Sequence, residues 1–226
     1  MTALDRLRGG LIVSVQPEPG SVLGMLETIV LLCRLAERNG AAGVRVEGVE
    51  RVRAVREAVA IPIVGITKCV HAGFAPYITS TVAEVRAVAA AGADVVAFDA
   101  TQRPRADASI VADLVEAARA GGRLGMGDCS TAEDARAAAA AGCDLVATTL
   151  AGYTDETRGR PLPALDVVEA LRGAHPFVVC EGGVATPGAA RAAIGAGASA
   201  VVVGSAITNV DALVRAFARA LSDDAT

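Results

Sequence analysis

The sequence predicts an α/β fold, a single (β/α)8 TIM barrel spanning residues 1–226. Three observations predict it. An Ala-rich stretch ending at Gly and running into a short branched apolar stretch recurs along the chain. Eight such apolar stretches can be placed with no break in composition between them, and almost every one leads directly into polar residues. The filling is also right: 53% of residues are hydrophobic, with no Trp, two Tyr and four Phe. The core must therefore be aliphatic, as barrel interiors are.

The repeating unit reads Asn39-Gly40-Ala41-Ala42-Gly43-Val44-Arg45-Val46, and again Ala91-Gly92-Ala93-Asp94-Val95-Val96-Ala97. It returns as Ala141-Gly142-Cys143-Asp144-Leu145-Val146-Ala147 and Ala196-Gly197-Ala198-Ser199-Ala200-Val201-Val202-Val203. Glycine just past a helix accepts positive φ and turns the chain. Short continuous apolar stretches suit strands buried on both faces of a parallel sheet. Repetition of the pair means alternating strand and helix. Strands are expected at 10–15, 43–46, 61–66, 94–98, 123–127, 144–148, 176–180 and 200–204. Helices are expected at 22–38, 49–59, 81–91, 108–120, 131–141, 164–172, 186–196 and 210–221. Caps mark several starts: Thr81 with Glu84, Ser130 or Thr131 with Glu133 and Asp134, and Thr186-Pro187. An open, doubly wound sheet is the alternative topology for the same alternation.

Net charge is −4 with the signs interspersed, so no basic surface for nucleic acid and no patch for anionic lipid is expected. Five scattered cysteines without C-x-x-C spacing suit free thiols in a reducing compartment. The stretch from Met1 to Arg6 lacks a charged-then-apolar leader pattern, and no apolar stretch approaches membrane-spanning length. The reading is a soluble, cytoplasmic protein.

In a parallel barrel, polar residues just past each strand project at the C-terminal rim, where function sits. Here they are Ser14 and Gln16, Arg45 and Glu47, Thr67 and Lys68, Asp99 to Thr101, Asp128, Thr148 and Thr149 through Tyr153 and Thr154, Glu181 to Gly183, and Gly204 and Ser205. One such residue is ordinarily a rim group or helix cap. Ionisable groups converging from separate strands cost stability, because each must be desolvated or paired, and that cost points to a site. Glu181-Gly182-Gly183 and Gly204-Ser205 precede helix starts, so their backbone N–H groups suit a phosphate, although such glycines also serve plain tight turns. Lys68 follows Ile63-Val64-Gly65-Ile66; burial and Arg45 would lower its pKa, and Glu181 would raise it. It is a candidate general base or Schiff-base nucleophile, or a simple anchor for substrate charge. His71 and His175 form no ligand spacing and no acidic cluster demands an ion, so no metal is expected. No G-x-G-x-x-G sits at a strand–helix junction, and no cofactor is expected.

These residues resemble N-acetylmannosamine-6-phosphate 2-epimerase, the sugar-phosphate epimerase of sialic-acid catabolism, over essentially the whole chain. The resemblance is carried by Leu11 to Gln16, Gly65-Ile66-Thr67-Lys68, Tyr77-Ile78-Thr79-Ser80-Thr81, Phe98 to Pro104, Gly127-Asp128-Cys129-Ser130-Thr131, Thr148 to Thr154, Glu181-Gly182-Gly183 and Val201 to Thr208. It implies exchange of N-acetylmannosamine 6-phosphate and N-acetylglucosamine 6-phosphate by proton removal and return at C2. It also implies Lys68 and Glu181 as the catalytic pair, with Gln16, Arg45, Asp128, Thr149 and Tyr153 on the sugar. Gly182, Gly183, Gly204 and Ser205 would hold the phosphate. Two departures stand out: the family's Glu-Gly-Arg is Glu181-Gly182-Gly183 here, and its Ile-Thr-Arg-Pro is Ile207-Thr208-Asn209-Val210. The loop from Cys69 to Pro76 also lacks the family's Arg-Asp-Tyr-Pro. A Schiff-base aldolase, another sugar-phosphate isomerase, or a non-catalytic sugar-phosphate binder are the competing functions. A homodimer paired through helical faces is compatible with the Ala-rich helix at 131–141, whose small-residue face could equally cover the barrel.

Overall fold

Eight parallel strands form the centre of the computed structural model, which describes residues 1–222. They are β1 (Leu11–Val15), β2 (Gly43–Glu47), β3 (Ile63–Ile66), β4 (Val95–Asp99), β5 (Leu124–Asp128), β6 (Leu145–Ala147), β7 (Val178–Cys180) and β8 (Ala200–Val203). Each pairs with its successor, and β8 pairs with β1. That last pairing closes the barrel and excludes the open doubly wound sheet.

Around the barrel run α2 (Leu26–Arg38), α3 (Val49–Ala58), α4 (Val82–Ala90), α5 (Val111–Ala120), α6 (Ala132–Ala140), α7 (Leu165–Ala170), α8 (Pro187–Ala196) and α10 (Val210–Ser222). Two short helices were not foreseen. α1 (Ala3–Leu7) is closed by a reciprocal Thr2–Asp5 capping box and sends Leu7 into the barrel interior against residues such as Ile12. α9 (Ser205–Thr208) follows β8 directly. The helix expected at 22–38 is broken at Met25 into a 3-10 turn, Val22–Gly24, and α2. The one expected at 108–120 starts at Val111, because Asp107 accepts from the Ser109 N–H and hydroxyl and Ala108 takes a positive φ.

Side chains alternate in and out along every strand, and two apolar clusters result. Ile12, Val64, Ile66, Val95, Ala97, Met126, Leu145, Val179, Ala200 and Val202 fill the barrel interior. Val13, Val44, Val46, Val96, Val146, Cys180 and Val201 face outward onto the helices. Contact there is close. A Cβ at Gly65, on β3, would lie 2.6 Å from Val88 Cγ1 and 2.8 Å from Ala93 Cβ, so only glycine lets β3 seat against α4. Among the described residues, no helix is long and apolar enough to cross a membrane.

Candidate active site

Continuing the same alternation past the apolar layer dictates the site. The next inward positions are Ser14 and Gln16, Arg45, Lys68, Asp99, Asp128, Thr149, Glu181 and Gly204. Of these, Ser14, Gln16, Arg45, Lys68, Thr149, Glu181 and Gly204 line a cavity of about 560 Å³ at the C-terminal ends of the strands. Of the residues singled out in the sequence, Lys68, Glu181, Gln16, Arg45, Thr149, Tyr153, Gly182, Gly183, Gly204 and Ser205 all line it. Asp128 does not. It lies fully buried one layer below, where it supports the wall.

That support is an ion-pair network. Arg45, 1% exposed, donates to both Asp128 oxygens, Nη1 to Oδ1 at 3.1 Å and Nη2 to Oδ2 at 2.6 Å. Arg45 Nη1 also donates to Glu181 Oε2 at 2.7 Å. The Thr149 hydroxyl lies within hydrogen-bonding distance of both carboxylates, 2.6 Å from Asp128 Oδ1 and 3.2 Å from Glu181 Oε2. Thr148 pins the backbone beneath, its hydroxyl donating to the Glu181 carbonyl and accepting from the Glu181 N–H. A guanidinium suits this position because its planar fork holds two carboxylates at once. Burial opposes the Arg45 charge, but Asp128 and Glu181 outweigh it and keep it ionised.

Two groups are left poised for proton transfer. Burial raises the Glu181 carboxyl to about 7, with Asp128 pushing the same way and Arg45, Thr149 and Lys68 resisting. Burial lowers the Lys68 ammonium, helped by Arg45 and opposed by Glu47, Glu181 and Asp128. Among the described residues Lys68 joins no ion pair. An acid and an amine, each shifted toward neutrality, thus face one cavity.

The chain after Lys68 folds back on itself. Cys69 N–H donates to Tyr77 O, Thr79 N–H donates to Thr67 O, and Lys68 bridges Ile78 in antiparallel fashion. Tyr77 is thereby set on the cavity wall, its phenol raised chiefly by burial. Tyr77 belongs to a motif that carries the family resemblance, but from sequence it has no assigned place in the site, because it returns through a loop rather than from a strand end. At the opposite wall, Gly182 and Gly183 both have positive φ. Beside them α9 begins, its Ile207 and Thr208 N–H groups both donating to the Gly204 carbonyl at 2.9 Å. Among the described residues the one arginine lining the cavity is Arg45, and Arg215 on α10 is held by both oxygens of Glu18, at 2.6 and 2.8 Å. Asn209 donates to Glu18 and accepts from the Ala212 N–H. Gln16 donates to Ser14 Oγ at 2.7 Å.

Known proteins resemble this chain in sequence and in fold. Residues 29–223 match a family model described as "Putative N-acetylmannosamine-6-phosphate epimerase". A relative from Synechococcus elongatus, carrying that description as a 2-epimerase, is 45% identical over 97% of this chain and 96% of its own. One from Cutibacterium acnes with the same description is 43% identical over 95% of each. Among solved structures, the N-acetylmannosamine-6-phosphate 2-epimerase of Clostridium perfringens superimposes with a TM-score of 0.93 at 34% identity, covering 97% of this chain and 96% of that one. A 3-hexulose-6-phosphate synthase, 22% identical with a TM-score of 0.63, shares the fold. Near-full coverage by relatives well above 30% identity, together with a matching barrel, settles the affiliation: the chain belongs to the N-acetylmannosamine-6-phosphate epimerase family.

Proposed function

We propose that the chain is a cytoplasmic isomerase that interconverts N-acetylmannosamine 6-phosphate and N-acetylglucosamine 6-phosphate in amino-sugar catabolism, using its own side chains. The observation that carries this is the unpaired Lys68 amine sharing a cavity with a Glu181 carboxyl raised to about 7. In the open-chain sugar, the proton on C2 is acidified by the C1 aldehyde. Neutral Lys68 takes that proton and becomes an ammonium, and the electron pair delocalises onto the aldehyde oxygen as an enolate. Charge then develops beside the Arg45 guanidinium, a preorganised site of positive potential. Protonated Glu181 delivers its proton to C2 from the other face, and transfer from Lys68 to Glu181 restores the starting state. The reverse reaction exchanges the two roles. Thr149, Gln16 and Tyr153 contact the sugar, and Asp128 acts on Arg45 and Thr149 as a positioning residue. Gly182, Gly183, Gly204 and Ser205 offer backbone to the phosphate.

The active unit in this reading is a homodimer. No residue of α10 is buried, and Val210, Leu213, Val214, Phe217 and Leu221 are exposed along it. Such a stripe is a poor surface for a free monomer and a good one for a second copy. α10 also borders the cavity through Ala212, Leu213 and Ala216.

Incubation with N-acetylmannosamine 6-phosphate, followed by NMR of the C2 proton, tests the proposal. Appearance of the N-acetylglucosamine epimer supports it, and an unchanged sugar refutes it. Borohydride added during turnover separates it from Schiff-base chemistry, since only an imine leaves a reduced adduct on Lys68.

A further inference from the structure

We propose that Cys69, His71 and Glu84 form a binding site for a zinc-type divalent transition-metal ion at the root of the loop that follows Lys68. Cys69 and His71 lie in the loop after β3, and Glu84 lies in the first turn of α4. One donor atom from each, the sulfur, a ring nitrogen and a carboxylate oxygen, fall within 4.8 Å of one another. His71 Nε2 is 3.1 Å from Glu84 Oε1, and the Cys69 sulfur lies within 4.8 Å of both donor groups. Tetrahedral zinc, with bonds near 2.0 Å to N and O and 2.3 Å to S, spaces its donors by about 3.3 to 3.6 Å. The His–Glu edge is therefore nearly formed. Cys69 is exposed, with its sulfur the more distant third donor and its side chain unconfined by packing.

The carboxylate is already oriented. Glu84 Oε2 accepts from the Ser80 N–H at 2.6 Å and the Thr81 N–H at 3.1 Å, closing the capping box of α4. Oε1 is left turned toward His71 and Cys69, an arrangement that fixes a ligand before the ion arrives. A sulfur–nitrogen–oxygen set selects zinc or cobalt over calcium or magnesium, which take oxygen ligands. Rival thiols are absent from the surface, since Cys33, Cys129, Cys143 and Cys180 are buried. His175 lies between the carbonyls of Phe177 and Cys143. In sequence the two histidines stand far apart and suggest no metal; the third donor arrives from α4 and shows only after folding. A bound ion would staple the 69–76 loop to the start of α4, at the side of the site where Lys68 and Tyr77 emerge.

The test uses full-length, untagged, metal-free protein titrated with Co2+ and then Zn2+. One equivalent per chain should bind, giving the near-ultraviolet thiolate-to-cobalt absorption, and zinc should raise the unfolding temperature. Cys69→Ser and His71→Ala should each weaken binding at least tenfold and abolish the zinc-dependent stabilisation, while metal-free turnover stays at the wild-type level. Failure of wild type to bind more tightly than the Cys69→Ser/His71→Ala double variant would overturn the proposal. So would full binding by His71→Ala, which would reduce the site to a lone thiol.

Discussion

Of the 21 Lys and Arg residues in the chain, Lys68 alone is lysine. The other cations are permanently charged guanidiniums, and only an amine can be discharged by burial near neutral pH. Its partner Glu181 bears a measurable cost. A carboxyl whose folded-state pKa lies above its ordinary value is fully accommodated at low pH, where folded and unfolded chains are both protonated. Stability is then lost as pH rises from about 4.5 to about 7. The shift corresponds to about 3 kcal/mol. Glu181→Gln, which can still accept from Arg45, should match wild type in unfolding free energy near pH 4 and exceed it at pH 8 while losing turnover. Denaturant melts at both pH values would show this, and an equally large difference at the two would contradict the raised carboxyl. Gly183 shows a second constraint. Its φ is +69°, and a Cβ there would lie 2.3 Å from Leu162 Cβ. Gly183→Arg, which restores the family's Glu-Gly-Arg, should therefore destabilise the protein by about 1–3 kcal/mol instead of tightening phosphate binding. Thermal unfolding and KM measured together decide it.

At the scale of elements, legibility followed local chemistry. The capped helices α4 and α6 begin one residue after Thr81 and Thr131, the caps read from sequence. The strands lie within two residues of their expected ends, because an apolar stretch between a Gly turn and a polar rim has one way to sit in a parallel sheet. Where tertiary contacts decide, the sequence was silent. α1 is a weak five-residue helix whose reason is the barrel floor that Leu7 fills. The break at Met25 depends on Ser21, which accepts from the Leu23 N–H and bonds to Asp211 on distant α10. Asp128 likewise read as a rim residue, but it lies buried below the cavity, where Arg45 reaches from across the barrel to hold both its oxygens. The exposed face of α10 yields its own prediction. Phe217→Glu should convert a dimer to a monomer in light scattering, with little change in helix content by circular dichroism. An unaltered dimer would place the interface elsewhere.

For the whole molecule, one periodicity produces both core and site. The inward positions of eight strands are apolar below and polar above, so the layer that excludes water also carries the ionisable groups at its edge. The network of Arg45, Asp128, Thr149 and Glu181 draws on β2, β5, the end of β6 and the end of β7, and only closure of the barrel brings these together. Local sequence could name its members but not their pairing. The central claim is that Lys68 moves the C2 proton. Its most direct test is NMR of N-acetylmannosamine 6-phosphate in deuterated water with wild type and with Lys68→Ala, the variant first verified as folded. Wild type should replace the C2 hydrogen with deuterium during epimerisation, and the variant should leave it in place over the same period. Exchange by Lys68→Ala at the wild-type rate would contradict the account.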